Sequence, residues 1–207
     1  MVDAARFETN PISLTDLLLL NAYKALASWC LCGQCDFYVG KLGLRYENVM
    51  KKVSLFVDVQ NIYYTTKSVY QRNFDYNKFW TQATLDRQVV TARAYATSRG
   101  DRKQTEFQNI LRAIGFDVKL KPFIRRSDGS SKGDWDVGIT IDVIEYAQES
   151  DIIVLASGDG DFDLLIKKIK SKFDTDTEIY GVPSLTAHSL LTEAAYFIPI
   201  DENLLLG

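Results

Sequence analysis

Residues 50–61 read MKKVSLFVDVQN: two lysines, an almost unbroken apolar run from Val53 to Val57, then Asp58 and Asn61. An apolar run that does not alternate with polar residues is the pattern of a parallel strand buried on both faces. A carboxylate placed where the run stops therefore lies at the carboxyl end of a strand. Open α/β sheets build their sites along that edge. Asp58 is a candidate metal ligand, and Asn61 is a candidate to position a water or support that ligand. The competing reading makes Asn61 an N-cap and Asp58 a carboxylate favoured by the helix dipole.

Downstream the pattern alternates. A helical stretch follows, broken in two around Phe74–Asn77. Gln88–Thr97 reads as a second strand, and Asp101–Ile114 as an amphipathic helix with Phe107, Ile110, Leu111 and Ile114 on one face, ended by Gly115. Phe116–Phe123 is a third strand, with Lys119 and Lys121 marking an exposed face or an edge. Helix Asp136–Ala147, strand Asp151–Ala156, helix Phe162–Phe173, strand Glu178–Val182, a short helix and strand Tyr196–Ile200 complete the series. Strands alternating with helices predict an α/β fold: a Rossmann-like three-layer sandwich around a mainly parallel central sheet.

Residues 1–49 differ from the rest. They hold all three cysteines (Cys30, Cys32 and Cys35) and a leucine run. Two readings stand for this segment: a helical N-terminal extension, or translation that natively starts at Met50, leaving 50–207 as the domain. Mass spectrometry of the endogenous N-terminus separates them.

The carboxylates recur in two further segments. VLASGDGDFD at 154–163 ends a strand and sets Asp159, Asp161 and Asp163 at alternate positions. Crowded carboxylates raise each other's pKa, and a cation is the natural way to keep them ionised together. One of them is expected to be only a helix cap, and Asp163 is the leading candidate. SKGDWDVGITID at 131–142 places Asp136 at a helix start, with Asp134 as the expected N-cap. Asp142 either reaches the same crevice deeper down or pairs with a basic residue. Aspartates without histidine suit a hard divalent cation, Mg²⁺ or Mn²⁺. Arg99, Arg125, Arg126 and Lys132, with Arg93, Arg102, Lys103, Lys119 and Lys121 nearby, are candidates to hold a polyanion over that centre. The competing reading is a solvated loop and edge strand. Tyr63, Tyr64 and Trp135 are candidates to stack on bases, although packing is the commoner use of such residues.

The bulk numbers exclude more than they assert. With 207 residues, 46% hydrophobic and 25% charged, the chain has an ordinary globular composition. A net charge of −3 carries no whole-chain nucleic-acid signature. The single histidine, His188, makes histidine-based catalysis or a histidine-rich zinc site improbable. Three cysteines fall short of a four-thiolate zinc site, and an odd number fits a secreted disulfide framework poorly, so free thiols in a reducing, cytoplasmic compartment are expected. No stretch reads as a signal peptide or a membrane span.

Asp58-Val-Gln-Asn61, Lys132-Gly-Asp-Trp-Asp136 and Ser157-Gly-Asp-Gly-Asp-Phe162 resemble, in the same order over roughly residues 50–200, the motifs of the NYN domain in its LabA-like bacterial branch, within the PIN-like nuclease superfamily. The resemblance implies a compact PIN-like fold and a Mg²⁺- or Mn²⁺-dependent endoribonuclease. Its site would comprise Asp58, Asn61, Asp136, Asp159 and Asp161. All of these except Asn61 would be metal ligands. Lys132-Gly-Asp-Trp-Asp has one residue more than the usual spacing, which sets Asp134 against Asp136. Asp136 is preferred because Val137 and the following helix continue the pattern. The implied partner is RNA, single-stranded or structured, with no membrane, and a second copy of the chain is admitted as a homodimer. Two other functions remain: a non-catalytic RNA-binding or regulatory module, and a haloacid dehalogenase-like phosphatase. The phosphatase is disfavoured because Gln60 stands where its general acid should be.

Overall fold

In the computed structural model, β1 (Lys51–Asp58) lies at the centre of the sheet, as its apolar run requires; Val53, Leu55, Phe56 and Val57 are fully buried. The described residues are 50–98, 100–122, 124–125, 131–132 and 134–207. The extension and its cysteines lie outside them. After β1 come α1 (Val59–Tyr70), α2 (Tyr76–Thr84), β2 (Arg87–Ser98), α3 (Arg102–Ile114) and β3 (Asp117–Pro122). A two-residue pair, β4 (Ile124–Arg125) and β5 (Ser131–Lys132), precedes α4 (Asp136–Tyr146) and β6 (Ile152–Ala156). Then follow α5 (Asp163–Phe173), β7 (Asp176–Gly181), α6 (His188–Glu193) and β8 (Tyr196–Pro199).

Six strands pair in the order β3-β2-β1-β6-β7-β8, and every pairing is parallel. The sheet is thus wholly rather than mainly parallel. The chain runs outward from β1 to β3, returns to the centre at β6, and runs outward again to β8. The reversal falls between β1 and β6, with Val57 opposite Ala156. A crevice opens beyond the carboxyl ends of strands at such a switch point.

Each face carries its own core. Val53, Leu55, Val57, Ala92, Ala94 and Val154 pack against α1, α2 and α3 through Ile62, Phe79 and Leu111. Phe56, Tyr95, Ile153 and Leu155 pack against α4, α5 and α6 through Ile139, Val143, Ile166 and Leu190. The break expected around Phe74–Asn77 is present. Gln71 closes α1 in the left-handed region at φ 57°, and the Asp75 carboxylate accepts from the Asn77 and Lys78 amides to start α2. Gly115 ends α3 at φ 128°, where a Cβ would stand 2.8 Å from the Trp80 ring. β3 is an edge strand, one of the two readings that its lysines allowed.

Candidate metal centre

Asp58 is the last residue of β1 and also the N-cap of α1. Its Oδ1 accepts from the backbone N–H of Gln60 (3.1 Å) and of Asn61 (3.0 Å). Alternation along β1 puts Asp58 on the Phe56 side, toward α4. The carboxylate is 8% exposed. Burial pushes its pKa up to about 6, against the two amide hydrogen bonds, and the Asp136 and Asp159 charges add to the rise.

The Asn61 side chain does not cap its helix. Its Oδ1 accepts from the Gly158 amide at 3.0 Å and so ties the end of β1 to the loop after β6. Asn61 is a clasp across the switch point, supporting the site rather than being described in contact with its carboxylates.

Beyond β6, buried Ser157 accepts the Asp159 amide on Oγ (3.2 Å), and Asp159 accepts the Asp161 amide (3.1 Å) at the head of a single 3-10 turn, Gly160–Phe162. From the other side, α4 presents Asp136 in its first turn. Asp136, Asp159 and Asp161 each offer a carboxylate oxygen within 4.8 Å of the others. Desolvation raises the Asp136 pKa first, followed by the charges of Asp134, Asp159 and Asp161. Asp58 is outside that close triad but near enough to feel two of its members. All-oxygen, anionic donors fit a hard cation such as Mg²⁺ or Mn²⁺.

The remaining aspartates separate clearly. Asp163 is the first residue of α5, behind an N-cap at Phe162. Asp142 takes the second of its two alternatives: its Oδ2 accepts from Arg93 (2.7 Å) and from the Tyr95 hydroxyl (2.6 Å), in an ion pair mostly shielded from water. Arg93 is therefore engaged in the α4 packing layer rather than lining an approach. Asp134 is not the N-cap of α4. Trp135 takes that position and makes no side-chain cap hydrogen bond. Trp135 is a packing residue: its Nε1 donates to the Ala96 carbonyl (2.9 Å), its ring meets Tyr95, and the Lys121 ammonium lies 4.2 Å above it. These contacts pin the start of α4, and with it Asp136, to the end of β2.

Among the expected polyanion-binding residues, Arg99 and Arg126 lie outside the described residues, as do the side chains of Arg125 and Lys132. Lys119 pairs with Asp117 (2.6 Å). Tyr63 and Tyr64, expected to pack, are instead exposed by 50% and 54%.

One wall of the site carried no linear signal. The Ala187 amide donates to the Gly158 carbonyl (3.0 Å), docking the 185–187 loop on the aspartate turn. A Cβ on Gly158 would stand 3.0 Å from the Leu185 carbonyl oxygen, and one on Gly160 would stand 2.9 Å from the Ala187 Cβ. Gly158→Ala must displace that loop, so a loss of about 1–3 kcal/mol is expected, read by denaturant melts. Unchanged stability would mean that the loop yields freely.

Residues 52–201 match the NYN domain family model. The chain is 26% identical over 164 residues to Low amplitude and bright protein LabA of Synechococcus elongatus, spanning 73% of this chain and 84% of that protein. It is 49% identical to a Vibrio parahaemolyticus protein of unknown function, whose crystal structure superposes at a TM-score of 0.74 and covers 79% of this chain and 100% of that one. No helix among the described residues is long and apolar enough to cross a membrane. From its sequence and its fold, the chain belongs to the NYN domain family, a PIN-like, nuclease-type family.

Proposed function

We infer that the domain is a divalent-metal-dependent endoribonuclease. One observation carries the reading: carboxylates from two separate segments, Asp136 on α4 and Asp159 and Asp161 after β6, converge within 4.8 Å at the sheet's switch point. Like charges gather this closely at a cost unless a cation compensates them. Asp136, Asp159 and Asp161 would hold Mg²⁺ or Mn²⁺, with Asp58 beside them. A bound ion of this class lowers the pKa of a water and polarises a phosphodiester.

The chain's own residues prepare that chemistry. The Gln60 and Asn61 amides fix the Asp58 carboxylate and leave its second oxygen available. In the metal-free folded chain burial holds its pKa at about 6, and a bound cation would favour the ionised form. Asn61 holds the two halves of the site in register through Gly158. The exposed histidine, His188, is not needed by such a mechanism.

The test is cleavage of single-stranded and structured RNA with Mg²⁺ or Mn²⁺. Wild-type activity should vanish with EDTA and fall to background in Asp159→Asn. Cleavage that persists unchanged in that variant would sink the assignment. RNA binding without cleavage at full metal occupancy would leave a regulatory binding module instead. Because ion and proton compete for Asp58, activity should also decline as pH falls below about 6.

A further inference from the structure

On the sheet face covered by α1, α2 and α3 lies a groove of about 1110 Å³. That exceeds the roughly 300–1,000 Å³ typical of small-molecule pockets. Gln60, one residue from Asp58 on one side and from Asn61 on the other, lines one end. Ala96, whose carbonyl Trp135 holds, lines it as well. The groove is thus continuous with the elements that place Asp58 and Asp136. From there it extends between α1 and α3 to Phe107 and Ile114.

Its lining is neither core nor ordinary surface. Tyr63 and Tyr64 stand half-exposed on α1 with ring centroids 5.4 Å apart and planes at 71°, so one presents a face beside the other's edge. Phe107, on α3, lines the same groove. Gln108, next to Phe107 in the chain and only 6% exposed, lines the groove as well. Lys67 and Lys103 line the same groove without an ion pair among the described residues. The acidic residues there, Asp75 and Asp101, are engaged as helix caps by the Asn77, Lys78 and Gln104 amides. Aromatic faces, the Gln108 amide and lysines without an ion pair among the described residues together match one ligand chemistry: unstacked nucleobases on a phosphate backbone. A duplex cannot offer its base faces to such a surface.

The geometry points to this groove as the binding track for an unpaired stretch of RNA, delivering the strand to the carboxylates. The assignment rests on the ribonuclease reading above for its substrate. Bases stack on Tyr63 and Tyr64, Gln108 meets a base edge, and Lys67 and Lys103 meet phosphates.

The test uses the full chain and the Tyr63→Ala/Tyr64→Ala variant, whose substitutions are exposed and whose folding a melting curve verifies. Fluorescence anisotropy in EDTA, which prevents cleavage, measures affinity for a labelled single-stranded oligoribonucleotide and for the same sequence as a duplex. The single strand should bind wild type at least tenfold tighter than the duplex does. The variant should lose roughly ten- to a hundredfold on the single strand alone. With Mn²⁺, wild-type kcat/KM should rise with oligonucleotide length and the variant's should not. Equal single-strand affinity in the two proteins, or a preference for duplex, overturns the groove. A change in self-association on sedimentation without a change in RNA affinity also overturns it, marking a contact between chains. The two readings fail separately. Tyrosine-dependent binding with no cleavage keeps the groove and sinks the nuclease. Cleavage that is length-independent and intact in the variant does the reverse.

Discussion

Asp58→Asn should make the metal-free protein more stable at pH 7.5 while abolishing its metal-dependent activity. The buried Asp58 carboxyl has a folded pKa of about 6 against an ordinary 3.8. A raised pKa means that the folded chain binds this proton more tightly than the unfolded chain does. The favourable contribution is complete below about pH 4 and is lost as pH rises through 6. Above that, the ionised carboxylate weighs against the fold by about 3 kcal/mol. Asparagine keeps an oxygen to accept the Gln60 and Asn61 amides and removes the charge. In a chain of this size the gain corresponds to a melting temperature roughly 5–10 °C higher at pH 7.5. The two proteins should melt alike near pH 4 and diverge between pH 4 and 6. Adding Mn²⁺ should raise the melting point of wild type and narrow the gap, because an ion that binds only the folded state stabilises it. A metal-free wild type that melts as high as the variant at pH 7.5 would show that the carboxylate is not held at a cost.

Asp142→Ala should be among the most damaging single changes away from the site, at about 3–5 kcal/mol. The Arg93 guanidinium is held by the Asp142 carboxylate at 2.7 Å and by the Tyr146 hydroxyl at 2.8 Å, and it lies 4.6 Å over the Tyr146 ring. Its Nε already has no partner among the described residues. Removing Asp142 leaves a largely buried cation uncompensated and orphans the Tyr95 hydroxyl. The same carboxylate, through that hydrogen bond, reinforces the upward shift of the Tyr95 pKa that burial begins. Replacing both partners with apolar residues, as in Arg93→Met/Asp142→Leu, should recover most of the loss, because no charge is then stranded. Urea melts of the three proteins decide it. A single variant that loses under about 1 kcal/mol, or a double variant no better than the single, would refute the account. Whatever folded Asp142→Ala survives should still bind Mn²⁺, since Asp142 is not among the converging carboxylates.

The two aspartates show what linear reading can and cannot separate. Both stand in acidic motifs, and both were candidates for the crevice. Asp58 could be placed because it terminates an apolar run, and a strand end is a fixed point of the fold. Asp142 could not, because six residues along a helix leave the facing direction undetermined until the neighbouring strand is known. Its partner, Arg93, lies on β2 and comes within reach only when α4 covers that sheet face. Asp134 shows a related limit: its place just before the helix made it look like a cap. The Trp135 indole anchors to Ala96 instead and sets the helix start one residue later.

The sequence by itself determined the order of strands and helices along the chain and the three acidic segments, because each is written in local periodicity and local breaks. Hydrophobic runs, caps and Gly115 act over a few residues and leave their mark there. Only the tertiary structure decided which carboxylates converge. It also decided that Asn61 reaches across to Gly158 rather than capping its own helix, and that Tyr63, Tyr64 and Gln108 share a groove. Those relations depend on contacts between elements distant along the chain, set by a sheet order that reverses between β1 and β6. No local pattern encodes which side of a helix will meet which strand.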